Sequence, residues 1–300
     1  MNTSNFKFMN KIISIQTITP LHMGTGQAIG TTDLPISREK VTNWPNMPGS
    51  SVKGVLKETL RVAWLLKNET DPKRNNDSGM KADKALTKLF GSPEANNADA
   101  GALMISDLLC VLFPVRALRG TFAYVTCPLA IQKLNQMLSV LGRPEIKVGN
   151  PDTSTAKIAK QDSVFSGNEK FYLEDLEFTS QNYAEEFAKE LCDALGLDEK
   201  TTKPRLVVVA DDIFRYFVEN ATEVTTHVTI DFETRTASGG MLRSEERVPA
   251  EAIFVGLMMV EKLHKMTDED SNRLNSVNDL YTQFGGKSSV GNGLCKVKLT

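Results

Sequence analysis

The chain has 300 residues, 41% hydrophobic and 24% charged, which supplies one large core and excludes wholesale disorder. Its best apolar run, Ala252 to Val260, falls far short of the roughly 20 residues that a membrane-spanning helix needs, so no membrane partner is expected. A formal net charge of −2, from 35 basic and 37 acidic residues, argues against a free monomer that grips nucleic acid by bulk charge. It leaves room for a local basic groove, or for an assembly whose subunits share the contacts.

The opening MNTSNFKFMNK lacks the apolar core and cleavage site of a secretory signal. Lys11 to Thr19, rich in isoleucine and threonine, reads as a strand ended by Pro20. After a long irregular segment, Ser50 or Ser51 is placed to cap a helix running to about Lys67, with Val52, Val55, Leu56, Thr59, Leu60, Ala63 and Leu66 on its core side. Lys53, Lys57 and Arg61 form the opposite stripe, ordinarily a solvated face. Residues 69–83 turn polar and read as a mobile insertion, followed by a short helix from Lys84 to Phe90 that ends at Gly91.

Ala102 to Leu112 and Leu118 to Thr126 read as strands, joined by the compact link Phe113-Pro114-Val115-Arg116. A helix is predicted from Pro128 to Leu141, stopping at Gly142. Residues 143–170 are polar and weakly patterned, and read as a second mobile insertion or a connection between modules. Beyond it come a strand over Phe171 to Phe178, an amphipathic helix from Asn182 to Leu195, a short strand Arg205 to Ala210, and a helix capped by Asp211. Val224 to Phe232 alternates cleanly as a half-buried strand. A polar hairpin or loop, Thr234 to Arg247, precedes the apolar strand Ala252 to Glu261, so a protruding hairpin is expected within about 224–261. Ser276 to Phe284 reads as helical, before a glycine-rich loop and a final strand. Both halves suit a βαββαβ plan, pointing to an elaborated α+β ferredoxin-like fold in one 300-residue domain.

Three stretches carry chemistry. Pro20 to Gly30 holds Gly24, Gly26 and Gly30, whose spacing fits neither a dinucleotide fingerprint nor a Walker motif and suits an ordinary turn as well as close approach to a phosphate. Pro48-Gly49-Ser50-Ser51-Val52-Lys53 puts free N–H groups and a lysine at a helix start, which serves either as simple capping or as an anion site. Gly285-Gly286-Lys287-Ser288-Ser289-Val290-Gly291-Asn292-Gly293 is poor core material and fits either a flexible turn or a loop wrapped on a polymer backbone. Asp33, before Leu34-Pro35, is by itself an exposed turn residue as readily as a functional one. His22 is by itself a packed loop histidine as readily as an acid. His227 and His264 have no acidic or cysteine partner at ligand spacing and receive no role. Arg116 and Arg119 suit RNA or a carboxylate partner equally. Cys110, Cys127, Cys192 and Cys295 are scattered with no CxxC pair, which fits packed thiols in a reducing cytoplasm rather than zinc or disulfides.

Read together, TPLHMGTGQAIGTTDLPISRE, PGSSVKGVLKE, ISDLLCVLFPVRALRGTFAYVTCPLA and FGGKSSVGNG resemble the RAMP superfamily of CRISPR RNA-binding proteins. More narrowly, they are similar to the backbone subunit of the type III-B effector, the Cmr complex. The resemblance covers about Thr19 to Leu134 and Val224 to the end. It implies an RRM-like RAMP fold with a palm and a thumb-like hairpin. Copies of the chain would stack in a filament along guide CRISPR RNA, beside other type III-B subunits, and cut complementary single-stranded target RNA at regular intervals. Attack by the 2′-OH on the adjacent phosphate is the implied chemistry. Asp33 falls on the catalytic aspartate and His22 on a histidine beside it. Gly24, Gly26, Arg38, Gly49, Ser50, Ser51, Lys53, Gly285, Gly286, Lys287 and Gly291 fall on RNA contacts. Glu245 and Glu246 match active-region carboxylates, with Ser244 in place of the usual aromatic. An ordinary aspartate, with a pKa of about 3.9, is a weak base toward a sugar hydroxyl, so Asp33 is cast as a ligand to Mg²⁺ or another divalent metal partly held by RNA, unless burial raises its pKa. The competing readings are a non-catalytic RNA scaffold, the equivalent type III-A subunit, and a glycine-loop enzyme for a small phosphorylated ligand.

Overall fold

Strand β1 (Lys11–Thr17) lies between two hydrophobic cores. Ile13 and Ile15 face one core, while Ile12 faces the other beside Ser14, as strand alternation requires. The Ser14 hydroxyl is satisfied by donating to the Leu195 carbonyl at 2.5 Å. The computed structural model describes residues 10–26, 32–67, 86–91, 100–159, 162–167, 169–228, 233–235, 242–260 and 267–300.

β1 pairs antiparallel with β12 (Ile253–Val260) on one side and β14 (Leu294–Leu299) on the other. From β14 the sheet ends at β13 (Leu280–Gln283). From β12 it continues through β4 (Leu108–Arg116), β5 (Phe122–Thr126), β9 (Leu206–Val208), β6 (Thr155–Ile158), β8 (Leu176–Asn182) and β7 (Lys170–Leu173). Short strands β2 (Asn46–Met47) and β3 (Leu103–Ile105) add to β4 and β12. The β5–β9 and β6–β8 pairs are parallel, so the sheet is mixed.

Helices cover both faces. α1 (Gly49–Lys67) and α5 (Asp211–Asn220) bring Val52, Leu56, Phe214 and Phe217 to the first core. α2 (Pro128–Val140) and α3 (Glu185–Leu195) bring Leu134, Leu138, Phe187 and Leu191 to the second. A four-residue helix α4 (Glu199–Thr202) follows α3. The expected α+β class is the one observed. A separate two-stranded ribbon, β10 (Glu223–His227) with β11 (Arg243–Arg247), stands apart from the large sheet.

Several predicted elements are redrawn. Phe113-Pro114-Val115-Arg116 is no link but the second half of β4, paired with β5. Pro114 is tolerated because the β12 ladder beside β4 ends at Leu112, just past a register shift. The expected strand Ala102 to Leu112 breaks at Ser106-Asp107, where the Ser106 hydroxyl accepts from the Leu257 amide at 2.9 Å. Within 143–170, β6 lies inside the sheet and Phe165 is fully buried, so apolar spacing too sparse to show periodicity still anchors the segment. The expected insertion at 69–83 lies outside the described residues. Phe171 to Phe178 is two strands, turning at Glu174 with φ 47°. Ser276 to Phe284 is not helical. The helix is α6 (Asp268–Asn275), opened by a capping box between Thr267 and Asp270, and β13 follows it. The ribbon's described strands are 223–227 and 243–247, within the expected 224–261 only in part, because β12 belongs to the central sheet.

Candidate nucleic-acid interface

Strand β11 is the hub on which the predicted site residues converge. One edge pairs with β10. The other edge receives the loops that contain Asp33 and His22. The Leu34 amide donates to the Ser244 carbonyl at 3.1 Å, and the Glu246 amide donates to the Leu34 carbonyl at 3.0 Å. Asp33 Oδ2 accepts from the Ser244 amide at 2.7 Å and from its hydroxyl at 2.9 Å. These bonds, the amide first, hold the Asp33 carboxyl below the usual carboxylate range although the residue is exposed. Oδ1 has no partner among the described residues.

His22 sits at the next anchoring point of the same strand. Its Nδ1 lies 2.7 Å from the Glu246 carbonyl, which can only accept, so Nδ1 carries a proton and Nε2 is the nitrogen left free of that bond. Residues two apart on a strand are about 7 Å apart, which sets the scale between the two anchoring points. The ring is buried beneath exposed Gly24, where a Cβ would stand 2.5 Å from Nε2. Gly26 is exposed with φ +97°. The segments on either side of 27–31 are tied by a Gly24–Ile36 bridge and a 2.7 Å bond from the Ser37 amide to the Met23 carbonyl.

The glycine-rich loop closes the other side. The Gly286 amide donates to the His22 carbonyl at 2.9 Å, and the Gly293 amide to Pro20 at 2.8 Å. Gly285 has φ +73°, and a Cβ there would meet the His22 carbonyl at 2.4 Å; only glycine permits both the backbone angle and the approach. Gly286 and Gly291 are exposed, whereas Lys287 is half-buried.

The two glutamates are both buried. Glu246, buried, accepts from Arg38 Nη2 at 2.5 Å, from Thr222 at 3.0 Å and from the Ile36 amide at 3.1 Å. Arg38 in turn donates Nη1 to the Asn43 and Val218 carbonyls. Its guanidinium therefore faces inward, where the resemblance places an RNA contact. Glu245 is 1% exposed. Its Oε1 accepts from Asn292 at 3.4 Å, while Lys287 Nζ and His227 Nε2 stand 3.6 and 3.9 Å from Oε2. His227 thus does have an acidic neighbour, diagonally across the β10–β11 register. Loop spacing in the sequence does not reveal that register. His264 lies outside the described residues. Arg116 holds Glu174 at 2.9 Å, and Arg119 donates to the Ser166 carbonyl.

At α1, Ser50 and Ser51 are exposed, but neither supplies the cap. The helix begins at Gly49, whose amide donates to Asp107 Oδ1 at 2.8 Å. A carboxylate already occupies part of this terminus. Lys53 donates to the Leu103 carbonyl and Lys57 to the Gly91 carbonyl. Burial, then the neighbouring Lys57 charge, lowers the Lys53 pKa. Both lysines of this stripe are therefore bonded to backbone carbonyls outside β11. Asp107, Asn292 and Ser244 are the site residues that motif reasoning missed or left unassigned.

Residues 14–296 match the RAMP superfamily. The Cmr endoribonuclease Cmr4 of Pyrococcus furiosus is 31% identical over 296 residues, 96% of this chain and 95% of the relative. The chain belongs to the RAMP superfamily and to its Cmr4 family. A crystal structure of oligomeric Cmr4 from P. furiosus superposes on this Cmr4-family chain with a TM-score of 0.73 and 28% identity, covering 97% of one chain and 98% of the other. A type III-B Cmr-beta complex bound to cognate target RNA contains a chain of the same fold, with a TM-score of 0.74, 19% identity and 97% of each chain covered. Among the described residues, no helix is long and apolar enough to cross a membrane, and no cluster of three His, Cys, Asp or Glu side chains is placed to hold a metal.

Proposed function

We propose that this chain is the backbone subunit of a type III-B CRISPR ribonucleoprotein, and that it cuts target RNA paired to a guide CRISPR RNA. The observation that carries the reading is Asp33. It is an exposed carboxylate clamped through one oxygen and open at the other, where the 20–26 loop, the glycine-rich loop and the base of the ribbon meet. Guide RNA lies along Gly24, Gly26, Gly285, Gly286, Lys287 and Gly291, whose exposed or half-buried backbone admits a polymer. Ser50 and Ser51 add amide donors at the α1 start. Arg38 and Lys53 support the surface from within. Other copies of the chain and other subunits share the RNA, in a cytoplasm suited to four buried, unpaired cysteines.

In the reaction, the 2′-oxygen of the target attacks the adjacent phosphorus and the bond to the 5′-oxygen breaks. The 2′-proton leaves to solvent, a proton from solvent joins the departing 5′-oxygen, and the products carry a 2′,3′-cyclic phosphate and a 5′-hydroxyl. Asp33 is exposed and its pKa is lowered, so it is not the base. With Glu245 and Glu246 both buried, Asp33 is the exposed carboxylate of this site that would fit a divalent cation, the remaining ligands coming from RNA and water. Such a cation would neutralise charge gathering on the phosphate. His22 positions the two loops and presents Nε2 toward Gly24.

The assembled complex, given matched RNA and Mg²⁺, should lose cutting in D33A while still binding target. A target with 2′-deoxyribose at the scissile position should also resist cutting. Persistent cleavage by D33A would remove Asp33 from the reaction, and normal cutting of the deoxy target would rule out 2′-OH attack.

A further inference from the structure

Ser244 spends both its amide and its hydroxyl on one residue. Its amide and hydroxyl both donate to Asp33 Oδ2, at 2.7 and 2.9 Å, and the same hydroxyl accepts from the Asp33 amide at 2.9 Å. A hydroxyl has one proton to give and lone pairs to receive, and here both are used to close a clasp between segments 211 residues apart. An exposed aspartate without such a partner samples several staggered rotamers. With Oδ2 held by two donors, the carboxylate plane is fixed and Oδ1 points in one direction.

We propose that Ser244 is the positioning residue for Asp33, aiming Oδ1 at the target and making the base of the β10–β11 ribbon the element that sets its place. The inference rests on the reading of Asp33 as a residue of the cleavage reaction. The strand that holds Asp33 through Ser244 also holds His22 through the Glu246 carbonyl. A shift of the ribbon therefore moves both together. Loss of the hydroxyl leaves the amide bond in place but frees the side chain to turn about it.

The test uses the assembled complex with guide RNA, comparing S244A, S244T, S244V, D33A and the double variant D33A/S244A. Single-turnover cleavage and target affinity are measured separately. S244A should cut about 10- to 100-fold more slowly, the scale of a misplaced reacting group, with target affinity unchanged. S244T should keep most of the rate and S244V should not, since the two share a shape and differ in the hydroxyl. The double variant should be no slower than D33A, because Ser244 acts through Asp33. Wild-type cutting by S244A and S244V beside an inactive D33A would overturn the clasp. So would a loss of target affinity that accounts for the lost rate. Wild-type cutting by D33A would instead overturn the reading of Asp33 beneath it.

Discussion

Arg38 and Glu246 neutralise each other in a place where neither can reach water freely, their side chains being 16% and 10% exposed. The guanidinium fork meets three acceptors from three chain segments: Glu246, the Asn43 carbonyl and the Val218 carbonyl. Removing one partner of such a pair strands the other, so R38A should lower the stability of the chain by about 3–5 kcal/mol, read by urea unfolding. R38K should recover little, because a single ammonium cannot reproduce the planar fork. A normally stable R38A chain with weakened guide binding would return Arg38 to the RNA-facing surface. Glycine matters at the same scale: Gly285 and Gly293 each carry positive φ, and a Cβ on either would meet a backbone carbonyl within 2.4 Å.

Helix starts depend on residues far away in the chain. α1 is capped by Asp107 across 58 positions, and α2 by Asp211, which accepts from the Leu129 amide at 2.9 Å. Local spacing puts Ser50 or Ser51 at the α1 cap, gives α2 no cap residue, and assigns Asp211 to its own helix. D107A should cost about 0.5–2 kcal/mol, the usual worth of a lost cap, read by the midpoint of chemical unfolding. D107N should retain part of it, since an amide oxygen still accepts. An unchanged midpoint in D107A would show that solvent or a serine takes over the amide. Apolar spacing placed α1, α2 and α3 well, because each buries one stripe against the sheet. It failed at Ser276 to Phe284, where β13 is an edge strand whose exposed Tyr281 blurs the alternation on which a strand is recognised.

The whole molecule is mildly acidic, with a formal net charge of −2, yet the proposed function demands a long polyanion. In the proposed assembly, local geometry and repetition would resolve this: exposed amides in glycine loops, together with a few inward-braced cations, would give each copy a modest hold, and a filament would multiply it. Chains purified with their partner subunits should therefore carry RNA of discrete length that resists added nuclease, visible on a denaturing gel. The chain alone should bind RNA weakly and lose it steeply as salt rises. Tight, salt-insensitive binding of a mononucleotide by the chain alone would favour a small-ligand site instead.

What the residues alone determined was the class of fold, most of the helices, and the candidate segments 20–38, 48–53 and 285–293, because apolar period and glycine-rich composition are local properties of the chain. The resemblance carried by the motifs added Asp33 and His22. Tertiary structure decided where each candidate sits and what it touches. It brought 20–38 and 285–293 onto β11, turned Arg38, Glu245 and Glu246 inward, filled the α1 terminus with Asp107, and clasped Asp33 to Ser244. Each of those outcomes is a hydrogen bond or ion pair between segments tens to hundreds of residues apart. Such pairings depend on strand register and on which side of the sheet a loop returns to, and neither is written in local spacing.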